Sequence, residues 1–323
     1  MTWNPNSREA KGIIAELIGY SPLQVFELGR RNAKLWKTHT DSNKRLVLAA
    51  AELTEKKERC VVIGAGPCYD IPLLELAQMF ERVELLDLNP KALAHAISDL
   101  PAELVPKVQC RAVEVTHVLP QVLYHAKQEL IKSGKRSEHA INKVVNIFRT
   151  QHVGMGELAH LQGDLIVSDM ILSQLPSALL IVDKWFRERF KKSIMSDTKW
   201  IEAVTSLQES IQNAHVDGLF AKKGAVVVLA TDFGIASTPE EANFSSLQRQ
   251  QSMTILPATM QKIAGPKASF DREESWIWHR NDSPPTFSPV LGLVFRPDRL
   301  IYSWTVKSFF GWVRRIRGQA VVC

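Results

Sequence analysis

The 323-residue sequence is short of the features that mark several protein classes. It has no long apolar run: SALLIV and VVVLA are among its longest, far below the ~20 residues needed to span a bilayer. Its first residues, MTWNPNSREAK, contain no apolar core, so no secretory signal is expected. The four cysteines, Cys60, Cys68, Cys110 and Cys323, show no CxxC spacing and no neighbouring histidine. That argues against a zinc knuckle and a disulfide framework, and a reducing, cytoplasmic compartment is expected. The nine histidines are scattered without ligand spacing, so no metal site is expected. No internal repeat and no recognisable RNA-binding module is visible. The net charge of +6 is too mild to imply an anionic partner.

What is present is an alternation. The first ~55 residues read as three helices, within the usual boundary error. One spans Ser7 to Ile18, with Ile13, Ile14, Leu17 and Ile18 on one face. A second opens with the capping box SPLQ and runs through Val25, Leu28, Leu35 and Trp36; a third begins near Asp41. Apolar strands then alternate with amphipathic helices, the pattern of a parallel sheet covered on both faces. The strands are expected at Cys60–Ile63, Val83–Leu86, Val108–Val115, Leu165–Val167 and Ala225–Ala230. Helices are expected at Ile71–Phe80, Pro90–Ile97, Gln121–Lys132 and Glu138–Phe148. Thr238-Pro-Glu-Glu241 is a second capping box, heading a polar helix. Two late extended segments, Ser275–His279 and Pro289–Phe295, suit an antiparallel hairpin closing one sheet edge. The organisation expected is a helical cap at 1–55 and an α/β domain at 56–323, with helical inserts at about 119–163 and 235–272.

Three elements carry chemistry. Gly64-Ala65-Gly66 follows the first strand, where glycine allows a tight turn and close approach of a ligand to the main chain. Asp87 ends the strand VELLD, at roughly the ~20-residue spacing of an acid that binds ribose hydroxyls. DLIVSDMILSQLP places Ser168 and Asp169 at the carboxyl edge of the fourth strand, where open α/β sheets bind ligands. A dinucleotide loop needs a small third residue for close helix–strand packing, and Tyr69 stands there. S-adenosylmethionine (SAM) has no pyrophosphate, so its loop needs less of a phosphate cradle.

VVIGAGPCYDIPLLELAQMFERVELLDLNPKAL resembles the first two motifs of class I SAM-dependent methyltransferases. VQCRAVEVT resembles the third-strand motif, DLIVSDMILSQLP the fourth, and GLFAKKGAVVVLATD the approach to the fifth. The likeness covers roughly residues 55–235 in the family's order. It implies a doubly wound, mostly parallel Rossmann-like methyltransferase sheet with an antiparallel C-terminal edge and a helical N-terminal extension. It implies SAM as cofactor, with Gly64, Ala65 and Gly66 passing the methionine portion, Asp87 and Leu88 at the ribose, and Glu114 at the adenine edge. Asp169 would lie near the transferable methyl, as base or as orienting group for the acceptor. Two positions depart from the family: Val62 replaces an acid and Cys68 a third glycine. Asp70 is expected to supply the missing charge near the SAM ammonium.

Plainer readings stand beside these. The glycines could form an ordinary turn, Asp87 could favour a helix N-terminus, and Asp169 could cap the helix beginning ILSQLP. Ser173 and Gln174 could touch substrate or lie on a solvated face. Cys68 has no base beside it in sequence and reads as a turn residue. His279 is the least implausible histidine for a general base. The acceptor is expected to be a small molecule offering an O or N nucleophile, with RNA or protein as alternatives. A NAD(P)-dependent oxidoreductase and a non-catalytic Rossmann-like binding module are the rivals from other classes. Arg30, Arg31, Lys34 and Lys37 could face RNA phosphate or simply be a solvated helix face. IYSWTVKSFFGWVRRIRG near the C-terminus could touch a membrane surface peripherally, or dock on the core as a terminal segment.

Overall fold

A computed structural model describes residues 4, 7–20, 25–232, 234–242, 271–282 and 285–299. Three helices lead into the sheet: α1 (Arg8–Ile18), α2 (Val25–Asn32) and α3 (Lys37–Leu53). Ser7 caps α1 through its hydroxyl, which accepts the Ala10 amide at 3.1 Å. The second helix ends at Asn32 and the third begins at Lys37, earlier than their sequence pattern suggests. Trp36 accounts for the break. Its indole donates to the Arg280 carbonyl at 2.9 Å and its ring meets Trp278 edge-on at 5.0 Å. A long-range contact overrides a continuous helical pattern.

The chain then runs β1 (Arg59–Ile63), α4 (Leu73–Met79), β2 (Arg82–Asp87), α5 (Pro90–Ser98), β3 (Val108–Ala112), α6 (Leu119–Lys132), α7 (Ser137–Arg149) and β4 (Leu165–Asp169). After β4 come α8 (Ile181–Phe190), α9 (Thr198–Phe220), β5 (Val226–Asp232), β6 (Arg272–Asp282) and β7 (Pro285–Phe295). The seven strands form one sheet in the order β3-β2-β1-β4-β5-β7-β6. The first five are parallel neighbours, β7 runs antiparallel to β5, and β6 pairs antiparallel with β7. The expected late hairpin is therefore present, and both of its strands are longer than the sequence signal.

Side chains alternate between two cores, as the period of a strand requires. Val61, Ile63, Ile166, Val227 and Leu229 face α6, α7 and α9. Cys60, Val62, Val167, Val226 and Val228 face α3 and α4. Each such fully buried aliphatic side chain stabilises the fold by about 1.5–3 kcal/mol. Helix α3 is part of this covering layer, for Leu46, Val47, Ala50 and Ala51 lie wholly inside the second core. Helix α1 packs on the other face, burying Ile13 and Leu17 in the first core.

Two expectations change. The third strand stops at Ala112, not Val115, because the chain turns out of the sheet there. The Glu114 carboxylate accepts the Thr116 amide at 3.0 Å and its hydroxyl at 2.8 Å, and His117 has φ +59°. The helix expected from ILSQLP is a 3₁₀ segment, Leu175–Leu180, leading into α8. Residues 237–242 form a turn in which the Glu241 amide donates to the Thr238 hydroxyl at 3.3 Å. The helix expected beyond that turn, the SPLQ cap and the aromatic–basic C-terminal segment lie outside the described residues. Among the described residues no helix is long and apolar enough to cross a membrane.

Candidate cofactor cleft

The carboxyl ends of β1, β2, β3 and β4 open on one cleft holding about 1220 Å³ of atom-free space, part of it continuous with solvent. Gly64, Ala65, Gly66, Asp70, Asp87, Leu88, Glu114 and Asp169 all line it. So the structure brings together every cofactor residue singled out in the sequence. It adds an apolar wall from Leu17 and Ile18 of α1, Trp36, Val113, Ile171, Leu175 and Trp278. The contribution of α1 carries no local sequence signal, since it depends on how that helix docks.

The turn after β1 is built by backbone conformation. Gly64 has φ +76°, and a methyl group there would lie 2.8 Å from Ile171 Cβ and 2.9 Å from the Asp169 carbonyl oxygen. Only glycine satisfies both the dihedral and the close approach of the β4 end. Gly66 has φ +50° with open space where a side chain would be, which leaves the main chain accessible to a ligand. Cys68 also adopts a left-handed backbone, φ +56°. The turn thus keeps the shape of a third glycine at a residue that pays roughly 1–2 kcal/mol for it. The Cys68 thiol is buried, and burial with the nearby Asp70, Asp169 and Asp87 pushes its pKa well up. It is no nucleophile.

Asp87 holds the turn from the side. Its Oδ2 accepts the Gly66 amide at 2.9 Å and its Oδ1 accepts the Asn89 amide at 2.7 Å. Asn89 caps α5 by accepting the Lys91 and Ala92 amides, with Pro90 opening the helix. Burial raises the Asp87 pKa, and the amides of Asn89, Gly66 and Leu88 oppose it. Burial likewise raises Glu114, against the bonds from Thr116.

The end of β4 is built by side chains. Asp169 is 3% exposed. Its Oδ1 accepts the Asn43 side-chain amide at 2.7 Å, and the same Asn43 nitrogen reaches the Asp70 carbonyl at 3.1 Å. Asp70 neighbours Asp169 on the cleft wall. Burial and then the Asp70 charge drive the Asp169 pKa well up; burial opposes ionisation of Asp70, but the neighbouring His39 and Asp169 bring its pKa down. Asp169 caps no helix.

Other candidates lie elsewhere. Ser168 points to the opposite face, where its hydroxyl meets His215 Nε2 at 2.8 Å in the core. Ser173 is buried against Asp232, whose other oxygen pairs with Arg280 at 2.9 Å. Gln174 lines the cleft. His279 stacks on Phe287 at 4.5 Å, on the hairpin and away from the cleft lining. Arg30, Arg31, Lys34 and Lys37 are exposed. The sequence reading missed His39 and Asn43, which α3 carries one turn apart and aims at Asp70 and Asp169.

A doubly wound dinucleotide sheet runs 3-2-1-4-5-6. Here β7 enters antiparallel between β5 and β6, the antiparallel edge that a methyltransferase sheet implies. The chain has the class I methyltransferase fold.

No family model matches the sequence, and no curated protein does. Solved structures with this fold do. Magnesium protoporphyrin IX methyltransferase from Synechocystis PCC 6803, with bound S-adenosylhomocysteine (SAH), is 14% identical, covers 88% of this chain and 99% of its own, and has a TM-score of 0.40. The N-methyltransferase NodS from Bradyrhizobium japonicum WM9 is 10% identical over 80% and 96% of the two chains, TM-score 0.34. A putative RNA methyltransferase from Pyrococcus horikoshii is 11% identical over 79% and 84%, TM-score 0.35.

Proposed function

We propose that this protein is a SAM-dependent methyltransferase acting on an O or N nucleophile of a small molecule. The observation that carries the reading is Asp87. Both its oxygens are fixed by main-chain amides, one from the glycine turn itself, so that they face the cleft beside an open Gly66. Two fixed carboxylate oxygens suit the paired hydroxyls of a ribose. Leu88 and Val113 supply apolar surface for an adenine, and Glu114 stands beside it with its carboxylate held by Thr116. Tyr69 supports SAM over a dinucleotide. Its ring packs where a methyl group on Gly29 would lie 2.5 Å away, so it fills the space beneath α2 instead of leaving a small-residue seat for a pyrophosphate.

SAM supplies an activated methyl group on a sulfonium, so the chain chiefly has to align and shield. Gly64 and Gly66 present the main chain to the aminoacyl portion, and Asp70 supplies the negative charge that Val62, buried in the core, does not. Leu17, Ile18, Ile171, Leu175 and Trp278 wall the remainder and exclude water. No lysine or arginine lines the cleft among the described residues, which supports an uncharged or cationic small acceptor over the phosphate backbone of RNA. Incubation with methyl-labelled SAM and separated metabolite, RNA and protein fractions tests this. Label in the metabolite fraction is expected; label confined to RNA or protein sinks the small-molecule reading.

A further inference from the structure

The atom-free space of the cleft, about 1220 Å³ and partly continuous with solvent, exceeds the ~300–1,000 Å³ of a site for one drug-sized ligand. The glycine turn, Asp87 and Glu114 follow β1, β2 and β3, on one side of the switch between β1 and β4. Different elements wall the other side. Trp36 comes from the break between α2 and α3, Trp278 from β6, and Gln174, Leu175 and Ala178 from the 3₁₀ segment after β4 and the residue before it.

One arginine holds this second wall from behind. The Arg280 guanidinium lies over the Trp278 ring at 4.6 Å, and His39 stacks on the same ring at 4.3 Å and 13°. The Arg280 carbonyl accepts the Trp36 indole N–H at 2.9 Å and the Asn32 side-chain amide at 3.4 Å. Arg280 Nη1 donates to Asp232 Oδ2 at 2.9 Å, and the other Asp232 oxygen accepts the hydroxyl of Ser173, the residue before Gln174. Asp232 and Ser173 are both buried. Three segments far apart in sequence are thus fixed through one side chain and its carbonyl.

The wall is apolar with few hydrogen-bonding groups. The Thr40 hydroxyl already donates to the Lys37 carbonyl at 2.9 Å. Trp278 is 4% exposed, and its indole N–H has no partner among the described residues. Gln174 is half-buried, and among the described residues nothing holds its side-chain amide, which offers both a donor and an acceptor. Charge narrows the occupant. Among the described residues no lysine or arginine lines the cleft to take an anion, and a cation would stand against the SAM sulfonium.

We infer that this half of the cleft is the acceptor subsite for an uncharged planar aromatic alcohol or amine, with Gln174 hydrogen-bonding its polar group and Arg280 as the positioning residue of the aromatic wall. The inference rests on the SAM reading above and names the acceptor class. A planar ring meets the indoles edge-to-face or offset, which a saturated ring of the same size cannot do. The transfer balances. A lone pair on the acceptor oxygen or nitrogen bonds the methyl carbon as the carbon–sulfur bond breaks, that bond's electron pair stays on sulfur to give SAH, and the acceptor proton leaves to water.

Ligand-observed NMR titration of the SAH complex with 2-naphthol, decahydro-2-naphthol and 2-naphthoate tests this on one fused-ring skeleton. 2-Naphthol is expected to bind with a Kd below about 1 mM, roughly 10-fold more tightly than the saturated and the anionic probes. Gln174→Leu keeps the bulk and should weaken 2-naphthol roughly 10-fold, while naphthalene, which lacks the hydroxyl, binds wild type and variant alike. Arg280→Met should weaken 2-naphthol by a similar factor with SAH affinity held within about twofold, and Arg280→Lys should recover part of it by keeping the pair with Asp232. A merely structural role for Arg280 would lower both affinities together. No binding of 2-naphthol to the SAH complex, equal binding of the saturated or anionic probe, or loss of naphthalene along with 2-naphthol in Gln174→Leu overturns this inference and leaves the SAM reading standing. Absence of SAH binding by the folded wild type overturns both.

Discussion

Two aspartates end two strands of the same sheet and face the same cleft, yet the structure surrounds them with different partners. At the end of β2, Asp87 is held by main-chain amides, which are donors only and cannot trade protons with it. At the end of β4, Asp169 is held by the Asn43 side-chain amide, with the charge of Asp70 beside it. Burial raises both pKa values, but at Asp169 the neighbouring charge adds to burial, while at Asp87 the amides oppose it. Residue type and strand position are shared; the neighbours decide whether the effect of burial is opposed or reinforced.

The comparison can be broken at the point where the two ends touch. Gly64 of the turn abuts Ile171 and the Asp169 carbonyl, so Gly64→Ala forces both a left-handed alanine and a clash. A loss of roughly 2–5 kcal/mol in urea unfolding is expected. A cost near that of an ordinary surface substitution would mean the two ends are not in register.

Behind β4, His215 gives the next largest effect. Burial lowers its pKa from 6.5 to about 4, beside Ser168. The folded state binds a proton less readily than the unfolded one, so this stability is present above pH 6.5 and lost as pH falls towards 4. The loss amounts to roughly 3 kcal/mol. His215→Gln should flatten that limb of the stability–pH curve, and an unchanged limb would place the acid sensitivity elsewhere.

At the end of β2, Asp87→Ala should weaken SAM binding about 100-fold with the fold intact, the scale of two lost hydrogen bonds to a charged group. Circular dichroism separates this from unfolding. The smallest effect belongs to Asp169→Asn. A raised carboxyl pKa means stability present at acid pH and lost as pH climbs, so an amide that cannot ionise should melt higher than wild type at neutral pH. The two proteins should converge at acid pH; a variant less stable at every pH would contradict a raised Asp169 pKa.

Much of this was legible in the sequence, for reasons tied to particular residues. Of the five parallel strands, β1, β2, β4 and β5 were readable because buried strands are rich in Val, Ile and Leu. Gly64, Gly66 and Asp87 were readable because turn and acid sit on consecutive elements at a fixed separation. Glu114 lines the cleft beyond a strand that ends earlier than its sequence pattern, since a local carboxylate turn leaves no periodicity to read. His39 and Asn43 were not readable. Their roles arise from a helix docked across the sheet and from residues more than a hundred positions away. The same holds for Trp36, whose partner is a strand near the other end of the chain.

The most direct test of the central claim is a titration of the wild type and of Asp87→Ala with SAM, beside NADH. Saturable binding of SAM well below about 1 mM, sharply weakened in the variant, with no binding of NADH, is the expected result. Binding of NADH, or failure of SAM to bind the folded wild type, would contradict the assignment of this cleft to SAM.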